Sequence, residues 1–380
     1  MDIELFLQML RIDSTSGKEG ELAAFLAERL MTSKCRLERF PVETMSDSCP
    51  EGFPLPENLL FSWGTPKVIF CTHLDTVPPY ISPVVCHPER SEGSFNSVIY
   101  GRGTCDAKGQ IFAMYQACLE LEEQGCTDFG LLLLAGEETG SFGAKAFNQI
   151  SGQVSSDEIW LVVGEPTDNC MASAAKGTKS FEIEFEGEAF HSGYPQHGRS
   201  AVMMFNDFVN ALRSIGFPQD SVLGETTWNI GKLHSDNPQN ILSDRLTCRV
   251  YFRTTFESDE MVCNVMKNIA GPQARLRFGR PRVQDGSDIV AKEVADWQRY
   301  MKVTAFGGDA PTRFEVLEGF PVKPVSFGSD APQLTAFRHK ILCGPGSILV
   351  AHRDDEHITL HDLETAVQNY KKIYKKLVVE

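Results

Sequence analysis

The chain has 380 residues, 42% of them hydrophobic and 23% charged, which is enough apolar material for two or three domains of roughly 150 residues each. Lysine plus arginine number 36 against 51 aspartates and glutamates, a net charge of −15. That excludes sequence-general nucleic-acid binding, which depends on neutralising phosphates.

The longest purely apolar runs, such as Leu131–Ala135, fall far short of the ~20 residues of a membrane span. The acidic start Met1-Asp2-Ile3-Glu4 is unlike a basic secretory signal. A cytoplasmic protein without membrane or nucleic-acid partners is expected. Eleven cysteines run from Cys35 to Cys343 with no Cys-x-x-Cys pair. They read as reduced thiols, most of them small buried hydrophobes.

In chain order, Ile3, Phe6, Leu7 and Leu10 form one helical stripe, followed by a break at Ser14-Thr15-Ser16-Gly17. A second helix is expected over Glu19–Met31. From residue 67 the pattern is α/β: strands at Lys67–Thr72, Gly130–Ala135 and Ile159–Val163, an amphipathic helix at Ala107–Leu121 and a short one at Ser141–Ile150. Apolar strands without alternation, separated by helices, predict a mixed, mainly parallel sheet covered by helices. The hydrophilic stretch His87–Asn96 reads as a surface turn.

Near residue 177 the period changes. Lys179–Glu186 alternates, Ser200–Ile215 is helical, Thr227–Leu233 and Leu246–Thr254 are strands, Asp259–Ile269 is a helix and Ala274–Phe278 a strand. That order is the ferredoxin-like βαββαβ motif. A helix over Val290–Val303, a strand at Lys340–Cys343 and a helix at His361–Leu377 return to the first sheet. The expected organisation is a catalytic domain over residues 1–176, an inserted domain over 177–287, and the rest of the catalytic domain over 288–380.

Three of the first domain's strands run into acidic or histidine residues: His73-Leu74-Asp75, Gly136-Glu137-Glu138 and Gly164-Glu165. Asp106 follows a glycine-rich turn at the start of a helix. Ligands of open α/β sheets bind beyond the carboxyl ends of the strands, so His73, Asp106, Glu138 and Glu165 converge at one rim, where the late His352 can join them. Two imidazoles and several carboxylates make a mixed N/O donor set of the kind zinc takes, with room for two ions where a carboxylate bridges. Asp75, two residues after His73, can hold the far imidazole nitrogen. In the Glu137-Glu138 pair, one residue can bind metal while the other acts as general base.

Taken singly, each feature has a plainer explanation. His-x-Asp is more often a hydrogen-bonded pair, Glu-Glu favours a helix dipole, Asp106 is an N-cap and His352 a solvated side chain. Their joint placement on one rim favours the metal site. There is no Gly-x-Ser-x-Gly elbow, no His-Glu-x-x-His, no complete dinucleotide fingerprint and no P-loop.

The segments THLDTVP (72–78), YGRGTCDAKG (100–109), LLAGEETG (133–140), VVGEPTD (162–168), FHSG (190–193) and GPGSILVAHRDDE (344–356) together resemble one family. It is the co-catalytic zinc metallopeptidase and amidohydrolase family of acetylornithine deacetylase, succinyl-diaminopimelate desuccinylase, aminoacylase and glutamate carboxypeptidase. The resemblance implies two divalent metal ions, zinc with cobalt as a substitute. His73 and Glu165 would hold one ion, Glu138 and His352 the other, and Asp106 would bridge them. Asp75 would orient His73, Glu137 would be the general base, and the peptide after Asp106 would be cis.

In the inserted domain, His191 resembles a histidine that serves the partner subunit's site in a homodimer. Asn240 and Arg253 resemble substrate-carboxylate contacts. GEPT and GPGSI are most similar to acetylornithine deacetylase, so removal of a short acyl group from an N-acyl amino acid is expected. Ala175 and Ser243, which depart from those enzymes, bear on the substrate pocket. The alternatives are a desuccinylase, a metallo-dipeptidase or carboxypeptidase, and a non-catalytic binding protein on the same scaffold.

Overall fold

The structure is a computed structural model that describes residues 1–86, 97–150, 158–269 and 300–378. It divides into two compact units: residues 1–173 with 313–325 and 329–380, and residues 174–312 with 326–328.

The first unit is built on a six-stranded sheet. Its order is Arg36–Pro41, Glu57–Trp63, Phe129–Leu134, Val68–His73, Trp160–Val163 and His339–Leu342. The last four strands are parallel to one another, and the first two run antiparallel to their neighbours. Every residue of Glu57–Trp63, Val68–His73 and Phe129–Leu134 is buried, as in strands of a sheet covered on both faces.

The helix Lys108–Glu123 is buried without a break from Lys108 to Cys118, so it is not the one-sided amphipathic helix the sequence suggests. Helices Ile3–Arg11 and Leu360–Val378 pack against it, and Phe6 stacks on Phe112. At its start the helix lies close against its own preceding loop, where a Cβ on Gly109 would lie 2.2 Å from the Thr104 carbonyl oxygen.

The second unit holds a four-stranded antiparallel sheet ordered Thr227–His234, Arg245–Thr254, Gly177–Glu186 and Met301–Gly307. Phe181, Ile183 and Phe185 alternate inward, as do Leu246, Cys248, Val250 and Phe252. They pack under helices Ala201–Arg213 and Asp259–Asn268, forming a second core with Phe208 and Val262.

The βαββαβ order is present, but its fourth strand is Met301–Gly307. The helix expected over Val290–Val303 is corrected from Met301 onward. There Met301 and Val303 alternate with Lys302 and Thr304, and the segment pairs with Gly177–Glu186. Residues 290–299, the strand expected at Ala274–Phe278 and the turn expected at His87–Asn96 lie outside the described residues. The chain re-enters the first unit at residue 313 rather than 288.

All eleven cysteines are free, but only Cys71, Cys105, Cys118, Cys248 and Cys343 are buried. The expectation that most are core residues therefore fails. Among the described residues no helix is long and apolar enough to cross a membrane.

Candidate metal centre

The first unit's site forms where its parallel strands end. His73 closes the strand Val68–His73, and Glu137 follows Phe129–Leu134 through Gly136, whose φ of 70° lies in the left-handed region. Glycine reaches that conformation without steric cost. A Cβ there would also lie 2.7 Å from the Met45 sulfur. Asp106 ends the loop before the helix Lys108–Glu123, and its peptide bond to Ala107 is cis.

His73, Asp106 and Glu138 each offer a ligand atom within 4.8 Å of the others. The Asp106 carboxylate divides its oxygens: Oδ1 lies 3.0 Å from His73 Nε2 and Oδ2 lies 3.2 Å from His352 Nε2. His352 Nε2 is also 2.9 Å from Glu138 Oε1. Glu165 is buried just past the end of Trp160–Val163 and stands outside the 4.8 Å set, where burial first and then the Asp106 charge raise its carboxyl while the His73 charge opposes them.

Asp75 does more than its expected task. The nearest partner of His73 Nδ1 is the Asp75 carbonyl oxygen at 3.0 Å, with the carboxylate at 3.4 Å. That carboxylate accepts the backbone N–H groups of Glu137 and Glu138, at 2.9 and 3.1 Å, and the Ser16 hydroxyl at 2.8 Å.

Ser16 was legible in the sequence only as a helix break. It reaches Asp75 because Ser14–Ser16 lies beside Leu74–Thr76, exchanging Thr76 N–H to Ser14 O and Ser16 N–H to Thr76 O. Behind it Glu19 is fully buried, with one carboxylate oxygen lacking a partner. Burial, and then the Asp75 charge, push its carboxyl up to about 8. Asp330, which no sequence pattern singled out, is buried and raises Glu137 and Glu165 by its charge.

The donor set fits divalent cations. Burial pushes the carboxyls of Glu137 and Glu165 well above their ordinary range, and neighbouring carboxylates add to it. The Asp106 and Glu138 carboxylates push His352 up to about 10, and Asp106 and Asp75 raise His73 against the effect of its burial. The clustered carboxylates of Asp75, Asp106 and Glu138 draw protons onto the two imidazoles, the positions where a metal would supply positive charge instead.

In the second unit, the N–H of Ser192 donates to the Asn240 carbonyl oxygen and His191 bridges to Ile241, so His191 and Asn240 are neighbours. His191 is exposed, and its Nδ1 accepts the Gly193 N–H at 3.1 Å. Arg253 pairs in register with Thr178 and Thr227 at the far end of Arg245–Thr254. Eight residues at ~3.4 Å each separate its level from Arg245, roughly 27 Å. Asn240 precedes that strand by five residues and lies beside His191, at the Arg245 end of the sheet.

Comparison with known proteins agrees with this architecture. A probable carboxypeptidase of Aspergillus fumigatus is 31% identical over 394 residues, covering 96% of this chain and 84% of that protein. A tripeptidase structure from Staphylococcus aureus superposes with a TM-score of 0.75 at 19% identity, covering 100% of this chain and 98% of that one. A Bacillus subtilis protein described as a dinuclear metal binding peptidase superposes at 0.62 with 11% identity, over 99% and 98% of the two chains. Residues 69–376, which carry both the candidate metal centre and the inserted sheet, match the family model, so the chain belongs to Peptidase family M20/M25/M40 and is a hydrolase of amide or peptide bonds.

Proposed function

We propose that the protein is a two-cation metallopeptidase that cleaves short peptides, as a carboxypeptidase or dipeptidase. The observation that carries this reading is the division of the Asp106 carboxylate between His73 and His352, the arrangement expected of a bridging ligand. His73 and Glu165 would hold one ion and His352 and Glu138 the other. Zinc suits the donors, with cobalt as a substitute. When bound, the ions would polarise the scissile carbonyl and favour ionisation of the attacking water.

The remaining work falls to the chain's own residues. Glu137 takes the proton of the attacking water on its carboxylate and returns it to the leaving amine. Asp75 holds the Glu137 and Glu138 backbone and, through its carbonyl, the His73 ring.

Arg253 forms no ion pair with an acidic residue among the described residues and lies over the Tyr251 ring, at 5.0 Å from its centroid. It is thus available to a substrate carboxylate. Asn240 and His191 lie together at the end of the sheet opposite Arg253, a separation that supports a homodimer through the inserted domain with His191 acting in trans. Eleven free thiols fit a reducing cytoplasm.

The names of the relatives favour peptide substrates over acetylornithine. The GEPT and GPGSI segments support a deacetylase as the second reading. A panel of dipeptides, tripeptides, N-succinyl and N-acetyl amino acids with added zinc or cobalt separates the two. Release of C-terminal residues from peptides should exceed hydrolysis of N-acetylornithine, and the reverse order would replace the peptidase reading with the deacetylase.

A further inference from the structure

One buried side chain outside the donor set joins the loop of Asp106 to the segment of His352. Glu356 is 1% exposed and lies four residues beyond His352. Its Oε1 accepts three backbone N–H groups, those of Gly103 at 2.9 Å, Cys105 at 3.1 Å and Asp106 at 3.1 Å. Its Oε2 accepts Arg102 Nη1 at 2.6 Å, in an ion pair closed to solvent on both sides. Arg102 in turn donates to the carbonyl oxygens of Pro79 and Arg353, and Gly101 N–H donates to the Glu356 carbonyl oxygen.

Convergent N–H groups around one oxygen form an anion-binding nest, here filled by the chain's own carboxylate. Buried N–H groups left without an acceptor are costly, so the loop has one strongly favoured shape while Glu356 is in place. The last of the three donors belongs to Asp106 itself, whose carboxylate stands between the two histidines.

We infer that Glu356 is the positioning residue of the Asp106 bridge. It holds the Gly103–Asp106 backbone so that each Asp106 oxygen meets its own histidine, and thereby ties both halves of the metal centre to one loop. This rests on the reading of Asp106 as a ligand shared by two cations. Supporting residues of this kind alter metal affinity by 10–100-fold in other metal sites.

The test separates the nest from the ion pair. Glu356→Met/Arg102→Met replaces the buried pair with apolar chains of similar length, a change that folded proteins often tolerate, and removes the acceptor. Glu356→Gln/Arg102→Met also removes both charges but keeps one acceptor oxygen for the three N–H groups. Each metal-free protein is titrated with cobalt, followed by calorimetry and by the cobalt absorption spectrum, with circular dichroism as the check on folding.

The Met/Met protein should bind about 10–100-fold more weakly than wild type with an altered spectrum, while the Gln/Met protein stays within a few-fold and keeps the wild-type spectrum. A folded Met/Met protein that binds and absorbs like wild type overturns the inference. So does a folded Gln/Met protein weakened more than tenfold, which decides the matter should Met/Met not fold. Wild-type protein that takes up no cobalt at all would instead overturn the reading of the metal centre on which the inference rests.

Discussion

The carboxylate of Asp75 accepts the backbone N–H of Glu137 at 2.9 Å with one oxygen and that of Glu138 at 3.1 Å with the other. The proposed base and a proposed ligand thus hang from one buried residue, whose backbone carbonyl also fixes the His73 ring at 3.0 Å. Asp75 is held in turn by Ser16, from a segment 59 positions earlier.

Replacing this side chain should disturb both halves of the chemistry. Asp75→Asn presents an amide N–H₂ to one of the two N–H donors, and we expect metal affinity and turnover to fall together by 10–100-fold. Ser16→Ala removes one hydrogen bond to a charged group and should cost less. Steady-state kinetics with metal content measured in parallel checks this, and a variant with normal affinity and turnover would deny Asp75 its supporting role.

Glu137 should be separable from the ligands. Glu137→Gln is expected to lose on the order of 10²–10⁴ in turnover while retaining metal, whereas Asp106→Asn and Glu138→Gln lose metal as well. If His191 serves the partner copy, mixing His191→Ala with Glu137→Gln protein should restore part of the activity missing from each alone. Near-normal turnover of Glu137→Gln would reassign the base.

Metal uptake should release protons. In the metal-free site His352 is pushed up to about 10 and is protonated at neutral pH, so a metal must displace that proton to use the nitrogen. Apparent affinity should therefore rise with pH through the neutral range. Calorimetry in buffers of different ionisation enthalpy measures the proton release, and buffer-independent heats would contradict it.

Glu19 gives a second pH signature, in stability. Its carboxyl is pushed up to about 8 in the fold from an ordinary 4.5, so the native state keeps a proton that the unfolded state has already lost. Its contribution is fully present below pH 4.5 and is lost as the pH rises through 8. Glu19→Gln keeps the neutral shape and should flatten this decline in metal-free protein. Equal slopes in denaturant unfolding of the two proteins between about pH 5 and 9 would refute it.

Much of this site was legible in the sequence because strand ends announce themselves. Val68–Cys71 and Leu131–Ala135 are unbroken apolar runs, and the residues at and just beyond the ends of their strands lie at the sheet's rim. Ser16 and Glu356 were not legible, because their partners lie 59 and about 250 positions away and no local period encodes such contacts.

The strand Met301–Gly307 was missed for a different reason. Only Met301 of its seven residues is buried, so its alternation is weak and a helical pattern fits the residues before it equally well.

Two cations, shared through Asp106, should be required for peptide hydrolysis. Metal-free protein should be titrated with zinc or cobalt while release of free amino acid from a dipeptide is followed and bound metal is counted. We expect no turnover without metal and saturation of activity at two equivalents per chain, with Asp106→Asn failing to reach it. Full turnover in demonstrably metal-free protein would contradict the shared-cation mechanism.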